Sequence, residues 1–347
     1  MNDLLLEIKD VTKVFRIGGF LFGTELLAVD HVNLSLDKHK PSILSIVGES
    51  GSGKTTLAKI ILKLHEPTSG DILLEGKSVF GPHPDLDTLA YYRAVQPIFQ
   101  NPFETFSMRK YVDSYLYDTA LNLKIAKNRK EARDVIADAL SSVGLEISAV
   151  AGKYPNQFSG GELQRISVAR GLIPRPKLIV ADEPVSMIDA SLRMNIVNMF
   201  LSLKEKYNVS FIYITHDLST AYYVSDYVAI MYRGNVIEYG SSDRILTNPI
   251  HPYTELLLDS VPTGGKKWER ALPDIELKEY QHTACKFANR CPFVQAICRL
   301  NKPPAVQIPG EREVLCFKPV DYELGRTTLS QEPTLGSAVN GAKIRRI

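Results

Sequence analysis

Gly48-Glu49-Ser50-Gly51-Ser52-Gly53-Lys54-Thr55 is the stretch that decides the fold, because it spells G-x-x-x-x-G-K-[ST], the P-loop of nucleoside triphosphate sites. Three glycines let the backbone turn its N–H groups inward around phosphate oxygens. Lys54 can span the β- and γ-phosphates, and Thr55 offers a hydroxyl to Mg²⁺. The flanks supply the required context. Upstream, Ser42 to Val47 reads as a short buried strand. Downstream, Thr56 to Leu64 carries Leu57, Ile60, Ile61 and Leu64 at helical spacing, so a helix N-terminus points its dipole at the bound anion.

Composition sets the outer limits. A chain of 347 residues, 44% hydrophobic, suits one large domain or two modest ones with a buried core. No window approaches the ~18 consecutive apolar residues of a membrane span. Met1 to Glu7 has neither a basic stretch nor a sustained apolar run, so no signal peptide is expected and the chain reads as cytoplasmic. A formal net charge of +2 gives no argument for a nucleic-acid partner. All four cysteines lie in the last quarter of the chain, a placement that speaks against a dispersed disulfide framework.

Along the chain, residues 1–41 alternate apolar and polar positions (Leu6, Ile8, Val11; Val29, Val32, Leu34, Leu36), predicting strands around a polar turn near Gly18-Gly19. Gly70 to Gly76 holds another short strand. From Asn101 to about Leu172 the pattern is largely helical, with Ala132, Val135, Ile136, Ala139, Leu140 and Val143 on one face of a helix that Gly144 ends. Strands resume at Lys177 to Ala181 and Val209 to Ile214, with a helix from about Ser191 to Tyr207 between them. Near-continuous apolar strands alternating with helices predict an α/β fold whose parallel sheet is covered on both faces. After about Pro249 proline, cysteine and irregular runs dominate, and Thr327 to Ile347 reads as a disordered tail.

Several residues converge on the phosphate site. Leu178 to Ala181 runs into Asp182-Glu183, and in an open α/β sheet ligands lie beyond the carboxyl ends of strands. Asp182 can hold Mg²⁺ through its water shell, and Glu183 can polarise the attacking water as general base. His216 follows the strand Phe211 to Ile214 in the same way, where it could donate to the γ-phosphate; a lone histidine there is more often structural. Gln100 closes the strand before the helical block and can bond a metal-bound water and a neighbouring backbone together. Ser159-Gly160-Gly161-Glu162 begins a helix with a capping box, which explains much of the segment but also supplies a helix N-terminus useful for phosphate.

Taken in order, the P-loop, Gln100, Ser159-Gly160-Gly161, Asp182-Glu183, Ser186-Met187-Ile188-Asp189 and His216 resemble the Walker A, Q-loop, signature, Walker B, D-loop and H-switch of ATP-binding cassette (ABC) transporter ATPases, over roughly residues 4–245. The resemblance implies a RecA-like P-loop NTPase core with an antiparallel β subdomain and an inserted helical subdomain at about 101–172, together filling 1–248. It implies that two cassettes close head to tail on two ATP molecules, with Ser159 and Gly161 of one chain reaching the γ-phosphate held by the other. Asp189 and Thr56 fall among the nucleotide contacts, and Thr55, Gln100 and Asp182 among those to Mg²⁺. Phe15 is expected on adenine, although an aromatic there is equally consistent with core packing. Glu162 departs from the family's usual Gln, and Met187-Ile188 from its usual Ala-Leu.

The cysteines narrow the resemblance. Cys285, Cys291, Cys298 and Cys316 lack the paired C-x₂-C of zinc ribbons, and by spacing alone structural zinc, free thiols and an iron–sulfur centre all remain open. Asn248 to Thr254 and Cys285 to Phe293 look like the C-terminal extension of oligopeptide and dipeptide importer ATPases, here 249–325. In that subfamily the extension carries a four-cysteine [4Fe–4S] cluster, and Glu183-Pro184-Val185-Ser186 looks like its F-type member, which usually pairs with a D-type ATPase. The resemblance thus implies a peripheral subunit on the cytoplasmic face of the membrane, working with a second ATPase, two permease subunits and an extracellular solute-binding protein, on peptides or related solutes such as oligosaccharides. Two other classes fit less well. Soluble cassettes of translation or repair carry tandem cassettes or coiled-coil arms, and P-loop kinases and GTPases have no use for Ser159-Gly160-Gly161.

Overall fold

The computed structural model describes residues 3–17, 24–81, 84–260 and 283–318. The turn expected near Gly18-Gly19 and the tail from Thr327 lie outside the described residues. Strands β1 (Leu4–Ile17), β2 (Thr24–Asp37), β4 (Ser69–Leu74) and β5 (Lys77–Ser78) form an antiparallel sheet in the order β2-β1-β4-β5. The second sheet combines β3 (Ile43–Val47), β6 (Val95–Ile98), β7 (Leu178–Asp182), β8 (Ser210–Thr215), β9 (Tyr227–Tyr232), β10 (Asn235–Ser241), β11 (Ala305–Ile308) and β12 (Arg312–Leu315). Its order is β11-β12-β10-β9-β3-β8-β7-β6. The pairs β3/β8, β3/β9, β7/β8 and β6/β7 are parallel, and the β10 side is antiparallel.

The parallel strands are apolar throughout because each buries both faces. In β7, Leu178 and Val180 join the core shared with the antiparallel sheet, while Ile179 and Ala181 face the helical block; in β8, Ile212 and Ile214 part from Phe211 and Tyr213 in the same way. Alternation with a period of two distributes one strand between two cores. Between β6 and β7 lie the helices Pro102–Thr105, Val112–Asn122, Arg129–Ser142, Ile147–Val150 and Gly160–Leu172. Within Arg129–Ser142 the buried residues are Ala132, Ile136, Ala139 and Leu140, and Gly144 follows at φ +73°, a conformation open to glycine without a Cβ penalty.

Two expectations change. The helix after the P-loop runs Lys54–Ile61, and Leu64 is 52% exposed rather than on its buried face. The chain leaves the helix at Leu62, and Lys63 takes φ +56°, which turns Leu64 off the face that Leu57, Ile60 and Ile61 share. The region after Pro249, expected as an irregular addition, supplies the hairpin β11–β12, which continues the main sheet through β12 against β10. A buried ion pair locks that edge, with Arg312 Nη2 2.5 Å from Glu238 Oε1 and both side chains fully buried. Glu238 also accepts the backbone N–H groups of Ile250 and His251 at 2.9 and 3.2 Å, so its charge is met on several sides.

Candidate nucleotide site

Four neighbouring parallel strands, β3, β8, β7 and β6, end at one rim of the sheet, and each is followed by one of the sequence motifs. Val47 leads into the P-loop, Thr215 into His216, Asp182 into Glu183, and Ile98 into Gln100 two residues on. Adjacent parallel strands deliver their carboxyl ends side by side, which is how residues more than a hundred positions apart come together.

The P-loop is packed as tightly as its glycines require. A Cβ on Gly48 would stand 2.1 Å from the carbonyl oxygen of Met231, and one on Gly53, at φ +105°, 2.2 Å from that of Ala28. Lys54 begins the helix and folds its ammonium back on the loop, donating to the carbonyls of Gly48 and Glu49 at 2.7 and 2.9 Å and to Ser52 Oγ at 3.3 Å. Burial pushes its pKa down, and the nearby carboxylates of Glu183, Asp182 and Glu49 oppose that shift. Thr55 Oγ1 donates to Asp182 Oδ1 at 3.4 Å. Asp182 is shifted upward, chiefly by burial and with Glu183 adding to it, against the hydrogen bond from Thr55 and the charges of Lys54 and Lys59. A hydroxyl beside a carboxylate, with Gln100 on the next strand, is an oxygen set that suits Mg²⁺.

Glu183 is held at both carboxylate oxygens. Gln100 Nε2 donates to Oε2 at 3.0 Å, and His216 Nδ1 lies 3.0 Å from Oε1. Its backbone has φ +45°, a left-handed conformation that costs a side-chain-bearing residue energy, and its N–H donates to the Ile214 carbonyl at 2.9 Å. Strain held by surrounding bonds aims the carboxylate into the rim. A fixed carboxylate beside an ammonium and the donors of a P-loop can polarise a water next to a bound phosphate.

A cavity of about 300 Å³ opens here, lined by Phe15, Leu26, Ala28, Ser50, Gly51, Gly53, Lys54, Thr55, Thr56 and Glu183. The structure therefore brings Phe15 to the P-loop, where its ring also meets His65 edge-on at 5.7 Å. Leu26 and Ala28 were missed in the sequence because they read as ordinary strand residues. Glu49, expected among the nucleotide contacts, turns its carboxylate the other way, onto Arg290.

Ser159, Gly160, Gly161, Glu162 and Asp189 are not among the residues lining this cavity. Ser159 caps Gly160–Leu172 in a capping box: Glu162 Oε2 accepts from the Ser159 N–H at 2.9 Å and its hydroxyl at 2.7 Å, which holds the Glu162 carboxyl below its usual range. The exposed Ser159 neighbours an exposed Met187 and Asp189, since a Cβ on Gly160 would lie 3.9 Å from both Ile188 Cδ1 and the Met187 carbonyl oxygen. Signature and D-loop residues thus share one outward surface.

The four thiols of the C-terminal region are free. Cys316 lies within electrostatic reach of Cys285, Cys291 and Cys298, and burial pushes its thiol up to about 11. Cys285 and Cys291 are also raised, first by burial. The backbone N–H of Lys318 donates to Cys316 Sγ at 3.4 Å. Four soft sulfur donors suit a thiolate-held centre by donor type. Among the described residues, however, no group of three or more His, Cys, Asp or Glu side chains is arranged to hold a metal ion.

The strand rim, the P-loop and the fixed carboxylate of Glu183 define a P-loop NTPase, and the capped helix start at Ser159-Gly160-Gly161 makes it an ABC-type ATPase cassette. The ABC transporter family matches residues 30–186, and the oligopeptide/dipeptide transporter C-terminal region matches residues 237–298. The chain is 36% identical over 324 residues to the oligopeptide transport ATP-binding protein AppF of Bacillus subtilis, covering 91% of this chain and 97% of that one. It is 34% identical over 331 residues to the dipeptide transport ATP-binding protein DppF of Haemophilus influenzae, with the same coverage of 91% and 97%. A solved dimer of the ATP-binding cassette MJ0796, in a post-hydrolysis state with ADP and phosphate, superposes with a TM-score of 0.58 at 26% identity, over 68% of this chain and 98% of that one. The chain belongs to the oligopeptide/dipeptide-type ATP-binding proteins of ABC transporters, and it is an ATP hydrolase. No helix among the described residues is long and apolar enough to cross a membrane.

Proposed function

We propose that the chain powers uptake of peptides or related solutes as one of two ATPase subunits on the cytoplasmic face of an importer, beside two permease subunits and an external solute-binding protein. The cassette comprises 1–248 with its helical part at about 101–172, followed by the extension 249–325. The observation that carries the reading is Glu183, fixed at both oxygens by Gln100 and His216 at 3.0 Å within the rim that holds Lys54. Phe15 packs on the adenine, and the backbone of Gly48 to Gly53 with Lys54, Thr55 and Thr56 cradles the phosphates. Thr55, Asp182 and Gln100 would hold Mg²⁺, which when bound would neutralise phosphate charge. Glu183 takes a proton from the attacking water, while His216 donates toward the γ-phosphate and keeps the water in line.

The opposing half of the site comes from a second cassette, through its counterparts of Ser159, Gly160, Gly161, Glu162 and Asp189. That proposal is supported by the exposure of Ser159 and Asp189, with Gly160 and Glu162 half-buried beside them, and by the absence of all five from the lining of their own cavity. The partner is a D-type subunit, with a second copy of this chain as the other outcome. Co-expression with a D-type ATPase and permeases, followed by pull-down and peptide-stimulated ATPase assays, tests the assembly; recovery of this chain alone, with no stimulation, overturns it.

Cys285, Cys291, Cys298 and Cys316 would hold a [4Fe–4S] cluster with a structural or regulatory role. The type of the four donors supports this, as does the Cys285 N–H donating to the Cys298 carbonyl at 3.1 Å, which brings two of these residues together. Iron and sulfide measured on anaerobically purified protein should come to about four each per chain for such a cluster; stoichiometric zinc without iron overturns it.

A further inference from the structure

Glu49, the first variable position of the P-loop, is gripped from outside the cassette. Its carboxylate receives a two-pronged ion pair, from Arg290 Nη1 to Oε2 at 3.0 Å and from Arg290 Nη2 to Oε1 at 2.9 Å. Its backbone N–H donates to Tyr253 Oη at 3.0 Å. Both Arg290 and Tyr253 follow Pro249, and Arg290 immediately precedes Cys291.

The grip is built rather than incidental. The Arg290 side chain is 4% exposed, and its guanidinium lies 5.7 Å from the ring centres of Tyr232 and of Phe287. Those rings pack on Tyr253, at 4.6 and 5.6 Å. A planar guanidinium between aromatic faces, paired fork to fork with a carboxylate, is confined in direction as well as distance. The turn carrying it is anchored again by Lys286, whose ammonium meets Asp30 at 2.9 Å and the Arg233 carbonyl at 2.7 Å. Glu49 passes the constraint on, because its carbonyl accepts from Lys54 Nζ at 2.9 Å. A continuous path therefore runs from the Cys285–Cys291 turn through Arg290 and Glu49 to the phosphate-binding lysine.

We infer that Arg290 and Tyr253 are positioning residues of the nucleotide site, and that the cysteine-bearing turn sets nucleotide affinity by clamping the P-loop at Glu49. This rests on the P-loop being the nucleotide site. A loop already held in its binding conformation loses less freedom when phosphates arrive, so release of the clamp weakens binding and leaves the chemical step alone.

The test is calorimetric titration of the full chain with MgADP, alongside steady-state ATP hydrolysis. R290Q and E49Q should each weaken ADP binding roughly tenfold and raise KM for ATP in step, with kcat within about twofold. The double variant should be no weaker than either single one, because both remove the same pair. Y253F, which keeps the ring packing, should weaken ADP binding about threefold. K302Q serves as control: Lys302 ties the same region to Asp30 at 3.1 Å without touching the P-loop, so its ADP affinity should be unchanged. If R290Q does not fold, E49Q and Y253F carry the test. ADP binding within twofold of the parent in both E49Q and Y253F, or equal weakening by K302Q, overturns the clamp. A parent chain that fails to bind ADP would instead sink the nucleotide-site reading itself.

Discussion

The P-loop cavity and the surface around Ser159 differ in where their polar groups find partners. At the cavity and its rim, Lys54, Thr55, Asp182, Glu183, Gln100 and His216 are bonded to one another or to the loop, across four motifs and four strands. At the other surface, Ser159 and Glu162 bond only within their own turn, and the neighbouring Asp189 makes no side-chain cap to the helix it starts. The first region is finished by this chain. The second presents a helix N-terminus and an exposed loop to something outside it, which is the difference between holding a nucleotide and completing its hydrolysis.

The sharpest way to break that comparison is E183Q. Gln keeps the contacts to Gln100 and His216 but cannot take a proton, so ATP binding should persist while turnover falls at least about a hundredfold in a phosphate-release assay. Unimpaired multiple turnover would remove Glu183 as the base. S159D acts on the other region: Asp still caps the helix, so thermal stability and single-subunit ATP affinity should stay level. Turnover should fall about tenfold, because the added charge faces the second cassette's phosphates. Weakened ATP binding by the isolated chain would place Ser159 in its own site and erase the distinction.

Acid should separate the regions by another route. His251, fully buried beside Tyr253, whose hydroxyl accepts the Glu49 N–H of the P-loop, itself accepts the Tyr253 N–H at Nδ1 and is pushed by burial from 6.5 to about 3. Because the folded state resists protonation that the unfolded chain accepts, its contribution is complete above pH 6.5. It is lost as pH falls toward 3, at up to about 1.4 kcal/mol per pH unit. Denaturant melts across that window should flatten in H251N, which retains an acceptor at the cap; an unchanged slope would assign acid sensitivity elsewhere. The smallest effect is expected for E162Q. Gln can preserve the capping box, so stability should shift by no more than about 0.5 kcal/mol, while loss of a negative charge on the partner-facing surface should raise turnover about twofold to threefold.

Much of the site was legible because phosphate chemistry demands particular residues at particular spacings. Glycines at 48 and 53 are imposed by carbonyls about 2 Å from where a Cβ would stand, and strand ends at Val47, Ile98, Asp182 and Thr215 follow from apolar runs stopped by polar residues. Leu64 misled because helical spacing says nothing about where the helix stops; Lys63 at positive φ ends the pattern one residue early. The hairpin β11–β12 carries little sequence signal although Pro309-Gly310 marks its turn, since each strand is only four residues long and β11 exposes three of its four positions. Arg290 carried no local signal at all: its importance comes from Glu49, 241 positions away.

By itself, then, the sequence determined that this protein binds and hydrolyses a nucleotide on a parallel α/β sheet, because backbone turns, helix dipoles and strand burial are short-range constraints written in neighbouring residues. Only the tertiary structure decided which motif residues meet within one chain and which face outward. It also decided that the cysteine-bearing region closes over the P-loop as part of the same sheet. Those outcomes depend on strand order and on ion pairs between distant segments, such as Arg312 with Glu238 and Arg290 with Glu49, and long-range pairing has no period to read.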